Sequence, residues 1–279
     1  MTIPEIILFL LLAAGTVLLA ARLWMACLAA QRGYERQSRY ETGTSKTIGD
    51  REVQEDEFGI METSEGIMAV LADGMGKAFG GKIAARIAVQ TFLDVFEDRS
   101  TFYKPQYSLR KAFQGANREI LHHLEDEQGS ACVAAVVIQN RRLYYAAAGN
   151  VQAAVFRNHE LTPVTSGHTI SVLARQKYEE GKLTREEAVS LLDRHRLYNF
   201  VGQDGFRDIE FFDTPIILHG GEYILLMSDG LYETVRWKDM EDCLDGSGSC
   251  QEKAYRIIEL VNRSDKEGKD NGAVVMIRC

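Results

Sequence analysis

Four short acidic segments carry the side chains best suited to chemistry in this chain. They are Glu55-Asp56, Asp73, Asp229 and Asp270, and each lies beside a short apolar run with the pattern of a strand. Carboxylates brought together repel one another, so proteins usually gather them around hard cations such as Mg²⁺ or Mn²⁺, which prefer oxygen ligands. If the fold brings these segments together, the chain is a metal-dependent enzyme.

Turns are the alternative interpretation of the same segments. Asp-Gly, as at Asp73 and Asp229, is a common hairpin signal, and Asp270-Asn271 could be a simple loop. The recurrence of an aspartate beside Gly or Asn at the edge of three apolar runs favours function over coincidence. Arg51, five residues before Asp56, adds a planar fork of donors suited to a phosphate group, although alone it would more often be a surface arginine.

A nucleotide-binding loop is a competing motif. Residues 76–82 have the spacing Gly-x4-Gly-Lys after an apolar run and before a helical pattern. The next residue is Ile83, where such a loop needs Ser or Thr to hold Mg²⁺. The antiparallel pattern of the following strands also disagrees with the parallel sheet of that fold, so the metal-enzyme interpretation is favoured.

Composition excludes some classes of function. The formal net charge of −8 and the lack of a basic stripe in the soluble part argue against binding nucleic acid. The cysteines are odd in number, widely spread and without a Cys-x-x-Cys pair, which indicates reduced thiols and no zinc or redox centre. Cys132 lies inside an apolar run and is expected to pack in the core; the alternative is a nucleophilic thiol.

The N-terminal segment differs from the rest of the chain. Residues 6–30 are apolar except for Arg22, which predicts a transmembrane anchor within residues 1–30 if that arginine extends to the interface. A cleavable signal peptide is the alternative, but only Glu5 is charged ahead of the apolar run. The arginines on the C-terminal side of the span predict a cytoplasmic location for the remainder of the chain: Arg22, Arg32, Arg36 and Arg39.

The remaining chain is expected to form a juxtamembrane linker over residues 31–46 and one soluble domain over residues 47–279. Apolar periodicity predicts strands at 67–72, 131–138, 143–148, 151–157, 208–214, 222–227 and 273–278, and helices at 81–98, near 109–124 and at 250–261. A helical insertion is expected between residues 170 and 197, with Thr184 and Glu187 as a capping box for a helix that ends near Arg194. Short connections and the lack of a βαβ rhythm predict an α+β fold with antiparallel sheets.

The order of the motifs along the chain is informative. Five segments together resemble the type 2C metal-dependent serine/threonine protein phosphatases of bacteria: Arg51-x4-Asp56, Ala72-Asp73-Gly74-Met75-Gly76, Gly149-Asn150-Val151-Gln152, Ser228-Asp229-Gly230-Leu231 and Asp270-Asn271. The resemblance covers residues 47–279 and implies an αββα sandwich of two antiparallel sheets flanked by helices. It also implies partners: phosphoserine and phosphothreonine proteins, and a cognate serine/threonine kinase.

The resemblance also implies residue roles around two Mn²⁺ or Mg²⁺ ions. Asp73 would bridge both ions and the Gly74 carbonyl would bind one, while Asp229 and Asp270 would complete the other. Glu55 and Asp56 would hold metal-bound waters, with Asp56 as a direct or indirect metal ligand, and Arg51 would grip the substrate phosphate. A metal-activated water would then attack the phosphorus with no covalent enzyme intermediate.

Departures from the family pattern keep an alternative open. Asn150 stands where an acid often supports a third metal ion, so that third site is in doubt. Lys77 replaces a glycine after Gly-Met-Gly, and Gly167-His168 replaces the usual Asp-His. A catalytically weak relative that binds phosphoproteins as a regulator is therefore the second hypothesis beside an active phosphatase.

Overall fold

A computed structural model of the chain describes residues 20–22, 39–124, 128–192 and 196–279. The chain divides into two units, Met1–Arg39 and Tyr40–Cys279. Apart from the helical residues 20–22, the expected transmembrane segment lies outside the described residues. Within the described ranges, no helix has both the length and the apolar character needed to cross a bilayer.

The second unit contains two antiparallel sheets. The first sheet has the strand order β1-β11-β10-β6-β7, and the second has the order β2-β3-β4-β5-β8, with β9 also paired to β5. The strands are β1 Glu41–Thr47, β2 Glu57–Glu62, β3 Ile67–Gly76, β4 Gly129–Gln139, β5 Arg142–Ala148, β6 Gln152–Arg157, β7 Glu160–Pro163, β8 Glu210–Phe211, β9 Ile216–Ile217, β10 Tyr223–Met227 and β11 Gly272–Arg278.

Helices flank the two sheets or lie in the connections between strands. They are α1 Gly80–Glu97, α2 Pro105–His123, α3 Ile170–Glu179, α4 Arg185–Val189, α5 Asp229–Tyr232, α6 Trp237–Asp245 and α7 Cys250–Arg263, with a 3₁₀ helix at Arg99–Tyr103. Side-chain alternation along each strand explains the layers, because successive residues face opposite sides of a sheet. On β3, Met68 and Val70 pack with α1 and α2, while Ala69 and Leu71 face the other sheet.

The same alternation on the first sheet completes the sandwich. On β11, Val275 and Ile277 belong to the core between the sheets, and Val274 and Met276 pack beneath α6 and α7. The chain therefore forms the expected αββα arrangement, with three apolar layers between four layers of secondary structure.

Several element boundaries differ from the sequence interpretation. Part of the expected linker is strand β1, which pairs with β11 from Glu41↔Arg278 to Thr47↔Gly272. Its sequence, ETGTSKT, has no large aliphatic residue, because this strand forms a sheet edge and most of its positions are only half-buried. The strand expected over residues 208–214 is reduced to the two residues of β8.

The helical insertion is present in modified form. The capping box forms, since the Thr184 hydroxyl accepts from the Glu187 N–H and the Glu187 carboxylate accepts from the Thr184 N–H. The helix that it starts ends at Val189 instead of continuing toward Arg194, which is not among the described residues. Packing decides the difference: in α4 only Ala188 is buried, so little apolar contact supports a longer helix.

Candidate active site

The acidic segments meet at one edge of the sandwich. Glu55-Asp56 precede β2, Asp73 lies near the end of β3, Asp229 follows β10 and Asp270 precedes β11. Antiparallel pairing places the start of β2 beside the end of β3, at Glu57↔Ala72, and the end of β10 beside the start of β11, at Met227↔Val274. Segments distant in sequence are thereby brought to the same place by strand register.

A serine connects the two sheets at this edge. The Ser228 hydroxyl donates to Asp56 Oδ2 at 2.8 Å and accepts from the Ala273 N–H at 2.8 Å. Asp56 is only 1% exposed, so its position is fixed by this bond and by its own N–H, which donates to Gln54 Oε1 at 2.8 Å. Ser228 thus holds an acid of one sheet against the strand ends of the other.

Asp73 lies inside the strand and not at its end. β3 continues through Gly76, and Asp73 pairs with Cys132 of β4, so the expectation of a turn or strand end at Asp73-Gly74 is corrected. Gly74 is required here by close packing: a Cβ atom would lie 2.2 Å from the Gly81 carbonyl oxygen and 2.8 Å from the Glu55 carbonyl oxygen. The strand therefore brings the Glu55 backbone and the start of α1 against Gly74, the residue after Asp73.

Asp229 is positioned by an amide. Asn150 Nδ2 donates to Asp229 Oδ2 at 2.7 Å, and the Tyr232 hydroxyl donates to the Asn150 carbonyl oxygen at 2.8 Å. The carboxyl groups of Asp229 and Asp73 also lie close to each other, and their proximity raises the pKa of Asp73 in addition to its burial. The amide at position 150 thus takes a direct part in ordering the acidic cluster.

A buried histidine supports the turn that carries Asn150. His168 Nδ1 accepts from the Gly149 N–H at 3.1 Å, and the His168 backbone N–H donates to the Gly149 carbonyl oxygen at 2.8 Å. Asn199 Nδ2 lies 2.9 Å from the same ring nitrogen, and burial lowers the pKa of His168. A neutral His168 therefore orders the turn without adding positive charge to the site.

Asp270 is engaged by Arg51. The Arg51 Nη2 atom donates to Asp270 Oδ2 at 2.6 Å, and the next residue, Asn271, accepts from the Glu55 N–H at 2.7 Å. The side chains of Arg51 and Asp270 are 58% and 45% exposed, so the ion pair lies at the open rim of the cluster. The guanidinium predicted to bind phosphate is therefore beside the acids and accessible from solvent.

Burial, with added repulsion between neighbours, makes several of the acids hard to ionise. Burial raises the pKa of Asp56 to about 7, and Asp229 and Asp270 contribute to that rise. Burial and neighbouring carboxylates also raise the pKa of Asp73, although its side chain keeps a water-accessible edge, and burial raises those of Asp229 and Glu55. A site where several acids resist ionisation is one that positive charge would stabilise.

The donor set fits divalent cations, although the side chains are not yet arranged around one. Glu55 Oε1 and Asp56 Oδ1 are buried and accept no hydrogen bond from any described residue. Over the same described ranges, no three Asp, Glu, His or Cys side chains are placed to hold a metal ion as they stand. The contacts explain why: Asp229 faces Asn150, and Asp270 faces Arg51, so cation binding requires these carboxylates to exchange partners.

Sequence reasoning found the acids but not what supports them. Arg51, Glu55, Asp56, Asp73, Gly74, Asp229 and Asp270 were all predicted from motifs, and the structure places them together. Ser228 and Asn271 were overlooked, though each adjoins a predicted aspartate and a short polar residue there was the available signal. Cys132 is fully buried, and burial raises the pKa of its thiol well above the usual range, so its expected core role is confirmed.

Comparison with known proteins settles the family. The model of the family described as Protein phosphatase 2C matches residues 42–262, most of the described unit. The chain belongs to the protein phosphatase 2C family. It is a metal-dependent protein serine/threonine phosphatase, as the motifs predicted. Asp270 falls beyond the matched range, so its place in the site of this phosphatase rests on the structure.

Individual relatives agree with this assignment. The serine/threonine phosphatase stp of Listeria monocytogenes is 28% identical over 236 residues, which span 81% of this chain and 90% of that protein. The solved serine/threonine phosphatase of S. agalactiae is 23% identical with a TM-score of 0.73, over 86% of this chain and 99% of that one. The catalytic domain of the phosphatase PstP, solved with two manganese ions, has a TM-score of 0.64 at 23% identity, over 86% and 97%. These structures share the fold of this phosphatase.

Proposed function

We propose that this phosphatase removes phosphate from phosphoserine and phosphothreonine residues of proteins at a centre of two Mn²⁺ or Mg²⁺ ions. The observation that carries the proposal is the meeting of Glu55, Asp56, Asp73, Asp229 and Asp270 at one sandwich edge, with raised pKa values at four of them. The manganese-bound relative supports the choice of cation.

The ligand set follows from the positions of the acids. Asp73 would serve both ions; its position beside Asp229 and beside the Glu55-Asp56 segment that precedes the neighbouring strand supports this role. Asp229 and Asp270 approach from the other sheet, and Asp56, with the Gly74 carbonyl, completes the set. Two bound cations would lower the pKa of a shared water and balance the charge of the phosphoryl oxygens.

Arg51 is the phosphate-binding group in the proposed reaction. Its guanidinium is exposed at the rim and offers a planar fork of donors that matches two phosphoryl oxygens. When Asp270 binds a cation, the Arg51 guanidinium loses its present partner and can turn to the substrate. Glu55 would accept a hydrogen bond from an ordered water, because its Oε1 atom is buried and accepts no hydrogen bond from the described residues.

The centre holds two cations, not three, in this proposal. Asn150 provides an amide that donates to Asp229, where an acid would be needed to recruit a further ion. Because an amide carries no negative charge, position 150 would not attract a further cation as an acid would. The same substitution motivates a second candidate function, a catalytically weak relative that binds phosphoproteins as a regulator.

A membrane anchor is part of the proposal. The apolar composition of residues 6–30 and the nearby arginines support a single-pass helix with the phosphatase unit in the cytoplasm. The physiological substrates would then be phosphoproteins near the membrane, including those of a serine/threonine kinase. A reporter fused after Cys279 should indicate a cytoplasmic location; a signal from outside the membrane would overturn this topology.

Activity is tested on the full-length chain with Mn²⁺ or Mg²⁺. The substrates are an aryl phosphate and phosphothreonine peptides, and the variant is Asp229→Asn. The matched control is Asp242→Asn, since Asp242 is an exposed aspartate of α6 paired with Lys238 and outside the acidic cluster. Metal-dependent turnover should be lost in Asp229→Asn and kept in Asp242→Asn. Binding of phosphopeptides without turnover would support the regulator, and turnover unaffected by Asp229→Asn would refute the metal centre.

A further inference from the structure

A cavity of about 610 Å³ opens beside the acidic cluster and takes no part in the proposed two-metal chemistry. Four segments line it: the end of β3, the start of β4, the last turn of α2 and the residues around Phe200. None of the predicted site residues lies in its wall. The cavity nevertheless lies close to Asp73, and its lining is largely apolar.

Strand register fixes the distance between the cavity and the acids. Asp73 of β3 pairs with Cys132 of β4. Two residues further along the same strand pair, Met75 pairs with Ser130, and Met75 and Ser130 both line the cavity. Two residues of strand span about 7 Å. An extended peptide covers the same length in two residues, so a substrate held with its phosphate at Asp73 places a nearby side chain over this cavity.

The lining favours an apolar side chain. Ile120, Leu121 and Leu124 of the α2 segment provide one wall and Phe200 another. Leu121 is 37% exposed although it faces this cavity, which is the kind of apolar surface that a ligand covers. Among the described residues of the wall, the polar side chains are those of Gln128 and Ser130, and neither carries charge.

We propose that this cavity selects substrates: it receives a large apolar side chain located two or three residues from the phosphorylated serine or threonine. The occupant is assigned to the substrate because the cavity wall begins two residues along β3 and β4 from Asp73 and Cys132, next to the edge where the acids meet. This inference rests on the proposed function and extends it from a reaction to a class of substrate sequence.

The test uses the full-length phosphatase with Mn²⁺ and a series of phosphothreonine peptides. Each peptide carries one leucine, moved from four residues before the phosphothreonine to four residues after it, in an otherwise alanine and serine background. The kcat/KM of each is compared with that of the leucine-free peptide. Filling an apolar pocket is expected to raise kcat/KM by about tenfold or more, at a position two or three residues from the phosphothreonine.

Two variants assign that preference to the cavity. Leu121→Gln removes apolar lining, and Leu121→Trp fills the space. In both variants the ratio of kcat/KM for the leucine peptide to kcat/KM for the leucine-free peptide should therefore fall close to one. The matched control is Ile217→Gln. Ile217 is 52% exposed and pairs with Arg142, the first residue of β5, whereas Asn150 follows the last residue of that strand. It should retain the full preference. Rates on the aryl phosphate, which is too small to reach the cavity, normalise each variant for folding and metal content.

The outcomes separate this inference from the proposed function. A leucine preference that is lost in both Leu121 variants and kept in Ile217→Gln supports the cavity as a selectivity site. Turnover without any leucine preference, or a preference that survives in both Leu121 variants, overturns it while leaving the phosphatase proposal intact. No metal-dependent turnover of any substrate overturns both.

Discussion

Replacing Arg51 by alanine should change metal binding and substrate turnover in opposite directions. In the structure Arg51 is paired with Asp270 at 2.6 Å, and Asp270 is one of the proposed metal ligands. The arginine and the cations therefore compete for the same carboxylate. Arg51→Ala removes that competitor, and it also removes the group proposed to bind the substrate phosphate.

The exposure of the pair sets the size of the first effect. Because both side chains are about half exposed, solvent screening limits the ion pair to about 0.2–1 kcal/mol. Freeing Asp270 should therefore tighten Mn²⁺ binding by only about 1.4-fold to fivefold. The second effect is larger, since hydrogen bonds to charged groups contribute about 1.5–3 kcal/mol. The kcat/KM for a phosphothreonine peptide should fall by roughly 10-fold to 100-fold.

Titration calorimetry with Mn²⁺ and steady-state kinetics at saturating Mn²⁺ measure the two effects separately. Arg278→Ala is the matched control, because Arg278 forms a similarly exposed ion pair with Glu41 at the opposite end of β11. Arg278→Ala should change neither the Mn²⁺ affinity nor kcat/KM. Weaker Mn²⁺ binding in Arg51→Ala, or an unchanged kcat/KM, would refute the proposed competition and the phosphate-binding role.

Three further substitutions test how the site is supported. Asp56 has a pKa of about 7 in the fold against about 4 in an unfolded chain, so its contribution to stability is present below about pH 4 and is lost as pH rises toward 7. In EDTA, the free energy of unfolding of Asp56→Asn should therefore rise relative to that of the wild type as pH increases from 4 to 8, by on the order of a few kcal/mol. If denaturant unfolding shows the same difference between the two proteins at every pH, this prediction is wrong. Gly74→Ala should cost about 1–3 kcal/mol or more, and activity with it, because its Cβ would lie 2.2 Å from the Gly81 carbonyl oxygen. Gly220→Ala, whose nearest contact would be Arg141 Nη2 at 3.8 Å, is the control that should unfold like the wild type. His168→Ala leaves the buried Gly149 N–H without its acceptor and should cost about 1–3 kcal/mol in the same unfolding assay, and equal stability would show that the bond does not hold the turn.

The main architecture was predictable from sequence because it depends on apolar patterning. Strands such as β3, β4 and β11 are long and buried, and α1 and α2 present clear apolar faces, so their types and order were evident. β1 was missed for the opposite reason: its short polar side chains form an edge strand whose only strong constraint is its pairing with β11. Local sequence contains no information about that partner.

In the candidate site, too, local sequence predicted some features and the pairing of distant strands determined the others. The acids could be found because each forms a recognisable motif with its neighbouring residues. Their mutual contacts could not, since Asn150 meets Asp229 and Arg51 meets Asp270 only when distant strands adopt the observed register. The roles of Ser228 and His168 likewise depend on bonds to residues far away in sequence.

Electron paramagnetic resonance of the Mn²⁺-loaded full-length chain tests the central claim most directly. If Asp73 joins two ions in one cluster, the spectrum should show a spin-coupled pair of Mn²⁺ ions, and Asp73→Asn should abolish the coupling. A spectrum of isolated Mn²⁺ in the wild type, or coupling that persists in Asp73→Asn, would contradict the two-cation centre proposed for this phosphatase.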